Sequence, residues 1–337
     1  MMQSLKAARR PLHLLDLSDI QPNVARWLVD EAFVYKKQFF AGGRRNSLQG
    51  KRFGLLLERP ATRTRLHFEV VARDLGAESI ILPFNELMAS RGEPPADTAR
   101  VLSRHLDLIM YRAASHSVLL DFAAHSQAPV INGMSDKSHP FRTLVEIMTF
   151  EEQRGPIAGK RIVVIGNCNQ NSLNSWIHAA AQFHFTLVIS HPEGQRFAAA
   201  KDFISWARAQ GGDVRIESDP VRAVAGADFI ITDTWAPVAQ GDSVDVSMLR
   251  PYQVNQALMD QANPGALFVH PLPAYRGREV TAEVIDGPQS VTWAGGIENK
   301  RFLLVPLYEW LLGVNGPADT RYEQTAAIGD GAIAEAV

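Results

Sequence analysis

The sequence predicts an α/β fold of two doubly wound domains, each with a parallel sheet flanked by helices. Three observations predict it. Short apolar runs alternate with amphipathic segments along most of the chain, as strands buried between helical layers require. Two such alternating sets are separated by the breaks Gly155-Pro156 and Gly159-Lys160. The 337 residues suggest about two domains at roughly 150 residues each. The first domain is expected over 1–150 and the second over 151–299.

Asp16-Leu17-Ser18 opens the first predicted helix, with Ile20, Val24, Trp27 and Leu28 at helical spacing. After the loop Gly42-Gly43-Arg44-Arg45, the apolar run Phe53-Gly54-Leu55-Leu56-Leu57 reads as a buried strand. Pro60-Ala61-Thr62-Arg63-Thr64-Arg65 then leads into a helix whose apolar face is expected to be Leu66, Val70 and Leu75. A short strand near Ser79 to Leu82, a polar loop Ser90 to Pro95 and a helix from about Ala96 to His105 follow. The strand Leu108 to Tyr111 comes next, with Arg112 just past its end, and then the strand Pro129 to Asn132. A long helix from about Pro140 to Gln153 leaves the first domain.

The second set starts with a strand at Arg161 to Ile165 and a helix at Leu173 to Phe183. Further strands are expected at Leu187 to Ile189, Phe229 to Ile231 and Leu267 to Val269, with a helix ending near Gly211-Gly212. The last helix is expected from about Lys300 to Leu312. Residues Met1 to Arg10 are basic but run into Pro11-Leu12-His13, which reads as a frayed terminus rather than a signal peptide.

The chemistry concentrates where strands end, because ligands of parallel sheets bind beyond the carboxyl ends of strands. Thr62, Arg63, Arg112 and His139 all follow strands, so they can converge. The first N–H groups of a helix have no internal partners, and the helix dipole is positive there. Two hydroxyls and two guanidiniums in four positions make this an anion socket suited to phosphate. The alternative is a plain helix cap with solvated arginines. No Gly-rich P-loop accompanies the socket, so a nucleoside triphosphate is not implied.

Composition narrows the classes. A net charge of −2 argues against a nucleic-acid binder held by general basicity. The single cysteine, Cys168, rules out an internal disulfide and a multi-cysteine metal site, and fits a reducing compartment. No apolar stretch approaches the roughly 18 residues of a membrane span. His67, His105, His116, His125, His178 and His184 lack metal-ligand spacing.

Taken together, and in this order, the motifs resemble the aspartate and ornithine carbamoyltransferase family from about Asp16 to Leu312. Ala61-Thr62-Arg63-Thr64-Arg65 is similar to the family's Ser-Thr-Arg-Thr-Arg phosphate signature. Arg91-Gly92-Glu93-Pro94, the run Ala96 to Arg104, and Asp233-Thr234-Trp235 resemble the ornithine branch. His139-Pro140-Phe141-Arg142 resembles a His-Pro-x-Gln motif. His270-Pro271-Leu272-Pro273 matches the aspartate branch, where ornithine enzymes carry His-Cys-Leu-Pro.

The resemblance implies transfer of a carbamoyl group from carbamoyl phosphate to an amine. It implies a carbamoyl-phosphate domain followed by an acceptor domain, with the segment 300–337 packing back on the first. Arg112 and His139 are the implied catalytic residues. Thr62, Arg63, Thr64, Arg112, His139, Arg142 and Lys300 are the implied donor site. Asn169, Asn171, Asp233, His270, Pro271 and Leu272 are the implied acceptor site; Asn169, Asn171 and Asn174 read equally as turn and cap residues, and Asp233 as a cap for Thr234-Trp235. Charge stabilisation and orientation suffice for the reaction, so no metal or organic cofactor is implied. A cytoplasmic homotrimer, or a multiple of it, with neither nucleic-acid nor membrane partners is the expected assembly.

Departures from the family pattern cluster in the pocket. Ala61 replaces a Ser, Arg142 the Gln, Pro271 the Cys, and Lys300 an Arg of Glu-Asn-Arg. Pro237 and Val238 stand where the ornithine branch has Ser-Met. These changes favour an ornithine-like amine over ornithine itself. They leave open a non-catalytic paralogue with a regulatory or partner role, or a transferase using another acyl phosphate.

Overall fold

In the computed structural model, residues 11–194, 196–236 and 245–318 are described. They form two parallel sheets. The strands are β1 (Arg52–Leu57), β2 (Glu78–Pro83), β3 (Leu108–Arg112), β4 (Val130–Asn132), β5 (Arg161–Ile165), β6 (Thr186–Ser190), β7 (Asp213–Ile216), β8 (Phe229–Ile231) and β9 (Leu267–Val269). The first sheet has the order β2-β1-β3-β4 and the second β7-β6-β5-β8-β9. The helices are α1 (Pro22–Phe40), α2 (Thr62–Asp74), α3 (Pro95–Leu102), α4 (His116–His125), α5 (Pro140–Arg154), α6 (Asn171–Phe183), α7 (Lys201–Ala209), α8 (Pro220–Val224), α9 (Gln256–Met259), α10 (Ala282–Ile285) and α11 (Gly295–Leu311). The α/β class with two parallel sheets flanked by helices is the one the alternation predicts.

Both strand orders contain a reversal, and reversals place crevices at the carboxyl ends of neighbouring strands. In the first sheet it falls between β1 and β3, where Leu57 is in register with Arg112. In the second it falls between β5 and β8, where Thr232 Oγ1 donates to the Ile165 carbonyl at 2.8 Å. These two ends carry the candidate site.

The sheets share one core. Helix α5 is buried from Pro140 to Phe150, so it lies between the two sheets rather than on the surface. Its Phe150 ring packs 5.2 Å from Phe229 of the second sheet, while Phe141 packs 5.5 Å from Phe68 of α2. Helix α11 returns to the first sheet: Tyr308 lies edge-on to Phe53 at 4.8 Å and donates to the Phe68 carbonyl at 3.1 Å. Gly295 permits this close approach, since a Cβ there would stand 2.2 Å from Thr149 Cγ2 of α5.

Several sequence expectations change. Asp16 caps a 3-10 turn at Leu17–Asp19, and the first α-helix starts only at Pro22, leaving Ile20 ahead of it. Helix α2 buries Phe68, Val71 and Ala72, followed by Leu75, while Leu66 is 59% exposed and Val70 38%. The face is displaced because the chain must bring Phe68 under α11. Strand β7 has only Val214 buried, an edge-strand pattern that leaves little signal in sequence. Helix α11 begins five residues earlier than Lys300 and ends at Leu311. Residues 319–337 of the expected 300–337 segment lie outside the described residues, as do Pro237 and Val238.

Candidate active site

The socket after β1 is built as an uncapped helix start. Ala61 is the N-cap of α2 and supplies no side-chain hydrogen bond, so the first N–H groups of the helix are left for a ligand. Arg112, the last residue of β3 rather than the residue after it, reaches across the switch point. Its Nη1 lies 3.4 Å from Thr64 Oγ1 and 3.2 Å from the Gly133 carbonyl. Its Nε is buried without a partner. Burial, with Arg59 and Arg63 nearby, lowers its pKa to about 10. Thr64 and Arg112 thus meet at one strand end next to Thr62 and Arg63, with Arg112 Nε unspent among the described residues, an arrangement suited to an anion.

His139 is the N-cap of α5 and donates its N–H to Ser175 Oγ at 3.0 Å. Its ring is buried and Nδ1 has no partner. Burial and the charges of Arg142, Arg112 and Lys300 push its pKa well below the usual histidine value. The imidazole is therefore neutral at pH 7, with one nitrogen able to donate a hydrogen bond.

Between the two sheets lies a narrow cleft. Arg63, Arg142, Lys300, His270, Pro271 and Leu272 line it, together with Val145, Glu146, Thr292, Gly296 and Ile297. Arg63 Nη2 crosses it to donate to the Leu272 carbonyl at 2.7 Å. Leu272 itself has φ 60°, an uncommon conformation for a side chain of its size, fixed as its N–H donates to His270 Nδ1 at 2.9 Å. His270 Nε2 faces Glu279 Oε1 at 3.4 Å, with both side chains fully buried. Among the described residues, no hydrogen bond or ion pair engages Lys300. Burial and Arg142, opposed by Glu146, lower its pKa to about 8.

Arg142 makes the decisive contact. Its Nε donates to Glu146 Oε1 at 2.8 Å, one helical turn on. Its Nη1 reaches Asp233 Oδ2, in the loop after β8, at 3.2 Å. Nη2 is buried and unpartnered. Burial opposes the charge, but the two carboxylates more than offset it and hold the guanidinium pKa above its usual value. Glu146 Oε2 also accepts from Trp176 Nε1 at 3.0 Å, and Asp233 accepts from Ser172 Oγ at 3.1 Å and from the Thr234 N–H at 2.7 Å. Asp233 is thus both a cap and a partner of Arg142.

The expected asparagines are spent elsewhere. Asn169 directs its amide to the Arg196 carbonyl at 3.4 Å on an exposed turn. Asn171, the first residue of α6, donates to the Ser135 carbonyl at 2.6 Å, and Asn174 donates to the Lys137 carbonyl at 2.8 Å. None of the three lines the cleft. Cys168 is buried, and desolvation pushes its thiol pKa up. No cluster of metal-ligating side chains occurs among the described residues, and no helix there is long and apolar enough to cross a membrane.

Sequence reasoning missed Ser172, Gly296 and Ile297. Ser172 carries no signal apart from its place in the first turn of α6. Gly295-Gly296 reads as loop because glycine disfavours helix.

Known proteins place this geometry. A family model described as "Aspartate/ornithine carbamoyltransferase, carbamoyl-P binding domain" matches residues 12–152. A second, "Aspartate/ornithine carbamoyltransferase, Asp/Orn binding domain", matches 158–303. The chain is 44% identical to an ornithine carbamoyltransferase of Nitrobacter winogradskyi over 92% of its own length and 100% of the relative's. It is 43% identical to one of Agrobacterium fabrum, covering 90% and 99%. It superposes on ornithine carbamoyltransferase from Pyrococcus furiosus with a TM-score of 0.86 at 36% identity, covering 91% and 99%. For the enzyme from Burkholderia thailandensis the values are 0.81, 34%, 90% and 99%. With both domain models matched in order over the socket and the cleft, the chain belongs to the aspartate/ornithine carbamoyltransferase family.

Proposed function

We propose that the protein transfers the carbamoyl group of carbamoyl phosphate to the amine of ornithine or, by preference, an ornithine-like amino acid. The observation that carries this reading is the uncapped start of α2 beside the unpartnered Arg112 Nε, next to a cleft lined by Arg142, which holds Asp233. The donor's phosphate binds Thr62, Arg63, Thr64 and Arg112. Arg112 and neutral His139 donate to the carbonyl oxygen, where negative charge develops in the transition state. The neutral amine attacks the carbonyl carbon, the carbon–oxygen bond to phosphate breaks, and the amine proton leaves, accounted for in hydrogen phosphate. Amines with a pKa near 10 are mostly protonated at pH 7, so the attacking group must first lose a proton.

Arg142 does not disqualify carbamoyl phosphate. Its charge is spent on Glu146 and Asp233, so it adds little net positive charge beside the reacting carbon. The reading assigns residues up to 150 to the donor and 151–299 to the acceptor, with His270, Pro271 and Leu272 on the acceptor side. It includes a cytoplasmic homotrimer.

The test is formation of a ureido product from carbamoyl phosphate with ornithine and a panel of related amines. Product with at least one amine is expected. Absence of product with all of them, and of any thermal shift on adding carbamoyl phosphate, overturns the reading.

A further inference from the structure

We propose that Arg142 takes the place of a substrate ammonium at Asp233, so that the cleft accepts a monoamine presenting an oxygen where ornithine presents its α-ammonium. The inference rests on the carbamoyl-transfer reading and concerns the acceptor it uses.

Ornithine carries two amines with different duties. The attacking one must be neutral. A carboxylate favours the charged form of an amine beside it, so an amine held by an aspartate stays protonated and is the spectator. The family resemblance implies Asp233 as the carboxylate for that spectator, and Asp233 is already engaged by Arg142, which lines the cleft. Its Oδ2 accepts from Arg142 Nη1 at 3.2 Å and from Ser172 Oγ at 3.1 Å, and its Oδ1 from the Thr234 N–H at 2.7 Å.

Arg142 is not free to withdraw at small cost. It is 8% exposed and anchored through Nε to Glu146, which is itself held by Trp176 Nε1. An ammonium arriving at Asp233 would displace Nη1 and leave a buried guanidinium with one carboxylate instead of two. It would also bring a second positive charge beside Arg142, with Arg63 and Lys300 lining the same cleft.

The unused atom of Arg142 specifies what replaces the ammonium. Among the described residues Nη2 is a buried donor without an acceptor, on a side chain that lines the cleft. A guanidinium can only donate hydrogen bonds. The group that satisfies Nη2 must therefore carry a lone pair, as a hydroxyl or carbonyl oxygen does and an ammonium does not. With the guanidinium charge balanced by two carboxylates, a neutral oxygen is sufficient. The recognition at this point is inverted: a position that asked for a donor now asks for an acceptor.

The pair ornithine and 5-amino-2-hydroxypentanoate isolates the difference, because they share the chain, the carboxylate and the reacting amine. The wild-type protein is expected to give a kcat/KM for the hydroxy acid at least about tenfold above that for ornithine, carried mainly by KM. Arg142→Gln should lower the KM for ornithine and reverse the order, a gain that a purely structural arginine would not produce. Calorimetric titration of both compounds reads the same preference if turnover is absent, so failure of carbamoyl transfer overturns the functional reading and leaves this inference decided by binding. Preference of the wild-type protein for ornithine overturns the inference, whether or not the variant folds. So does an unchanged ratio in a folded Arg142→Gln variant.

Discussion

Arg63 Nη2 donates to the Leu272 carbonyl at 2.7 Å, so a side chain from the first turn of α2 is tied to backbone 209 residues later. In the proposed function the guanidinium serves the phosphate socket and the carbonyl lies on the acceptor side. Removing Arg63 should cost the donor one charge-assisted hydrogen bond. Arg63→Ala is expected to weaken carbamoyl phosphate or inorganic phosphate binding by roughly 1.5–3 kcal/mol, or about ten- to a hundredfold. Titration that shows unchanged affinity would reduce the socket to a helix start.

Lys300 provides a pH signature. Its ammonium is charged below about pH 8 and neutral above it in the free protein, because burial and Arg142 depress its pKa. Phosphate affinity should therefore fall as pH rises from 7 to 9. In Lys300→Arg the charge persists, so the fall should flatten over that range. Parallel curves for the two proteins would place the Lys300 charge outside the anion's reach.

Glu146 accepts from both Arg142 and Trp176 while 3% exposed. Weakening a buried ion pair from one side leaves the other charge poorly compensated. Glu146→Gln is expected to destabilise the fold by about 3 kcal/mol in urea unfolding at pH 7. A loss under about 1 kcal/mol would mean that Asp233 alone satisfies Arg142.

Gly295 is required by a close approach rather than by its backbone freedom. In Gly295→Ala, the new methyl meets Thr149 Cγ2, and overpacking should cost about 1–3 kcal/mol. Thr149→Ser removes Cγ2 and keeps the hydroxyl that donates to the Val145 carbonyl and accepts from Asn299. The double variant should recover part of the loss in thermal unfolding. Additive losses would show that the contact is not the cause.

The fold was legible where signals are local. The apolar run of β1 and the hydroxyl–guanidinium sequence after it each fit within about ten residues. Strand β7 was not legible, since a mostly exposed edge strand has little apolar pattern. The burial of α2 was misread because its face is chosen by α11, some 230 residues away. At Arg142 the i,i+4 spacing exposes Glu146 as a partner, but no local rule reveals Asp233, 91 residues distant. The left-handed Leu272 carries no mark in sequence either, being enforced by His270 and the strand end.

The hydrogen bonds from the start of α6 to the stretch before α5 have a mechanical consequence. Asn171, Asn174 and Ser175 hold Ser135, Lys137 and His139 at their backbones. That stretch is fastened to both sheets, since Asp136 accepts from the His116 N–H and the Ser138 carbonyl from Asn132 Nδ2. If the two sheets pivot during a catalytic cycle, His139 lies at the hinge between Ser138 and Ser175, while Thr62, Arg63, Thr64 and Arg112 travel with the first sheet. The moving seam then runs through the anion socket itself, so closure would assemble the groups around the carbonyl oxygen instead of merely covering them.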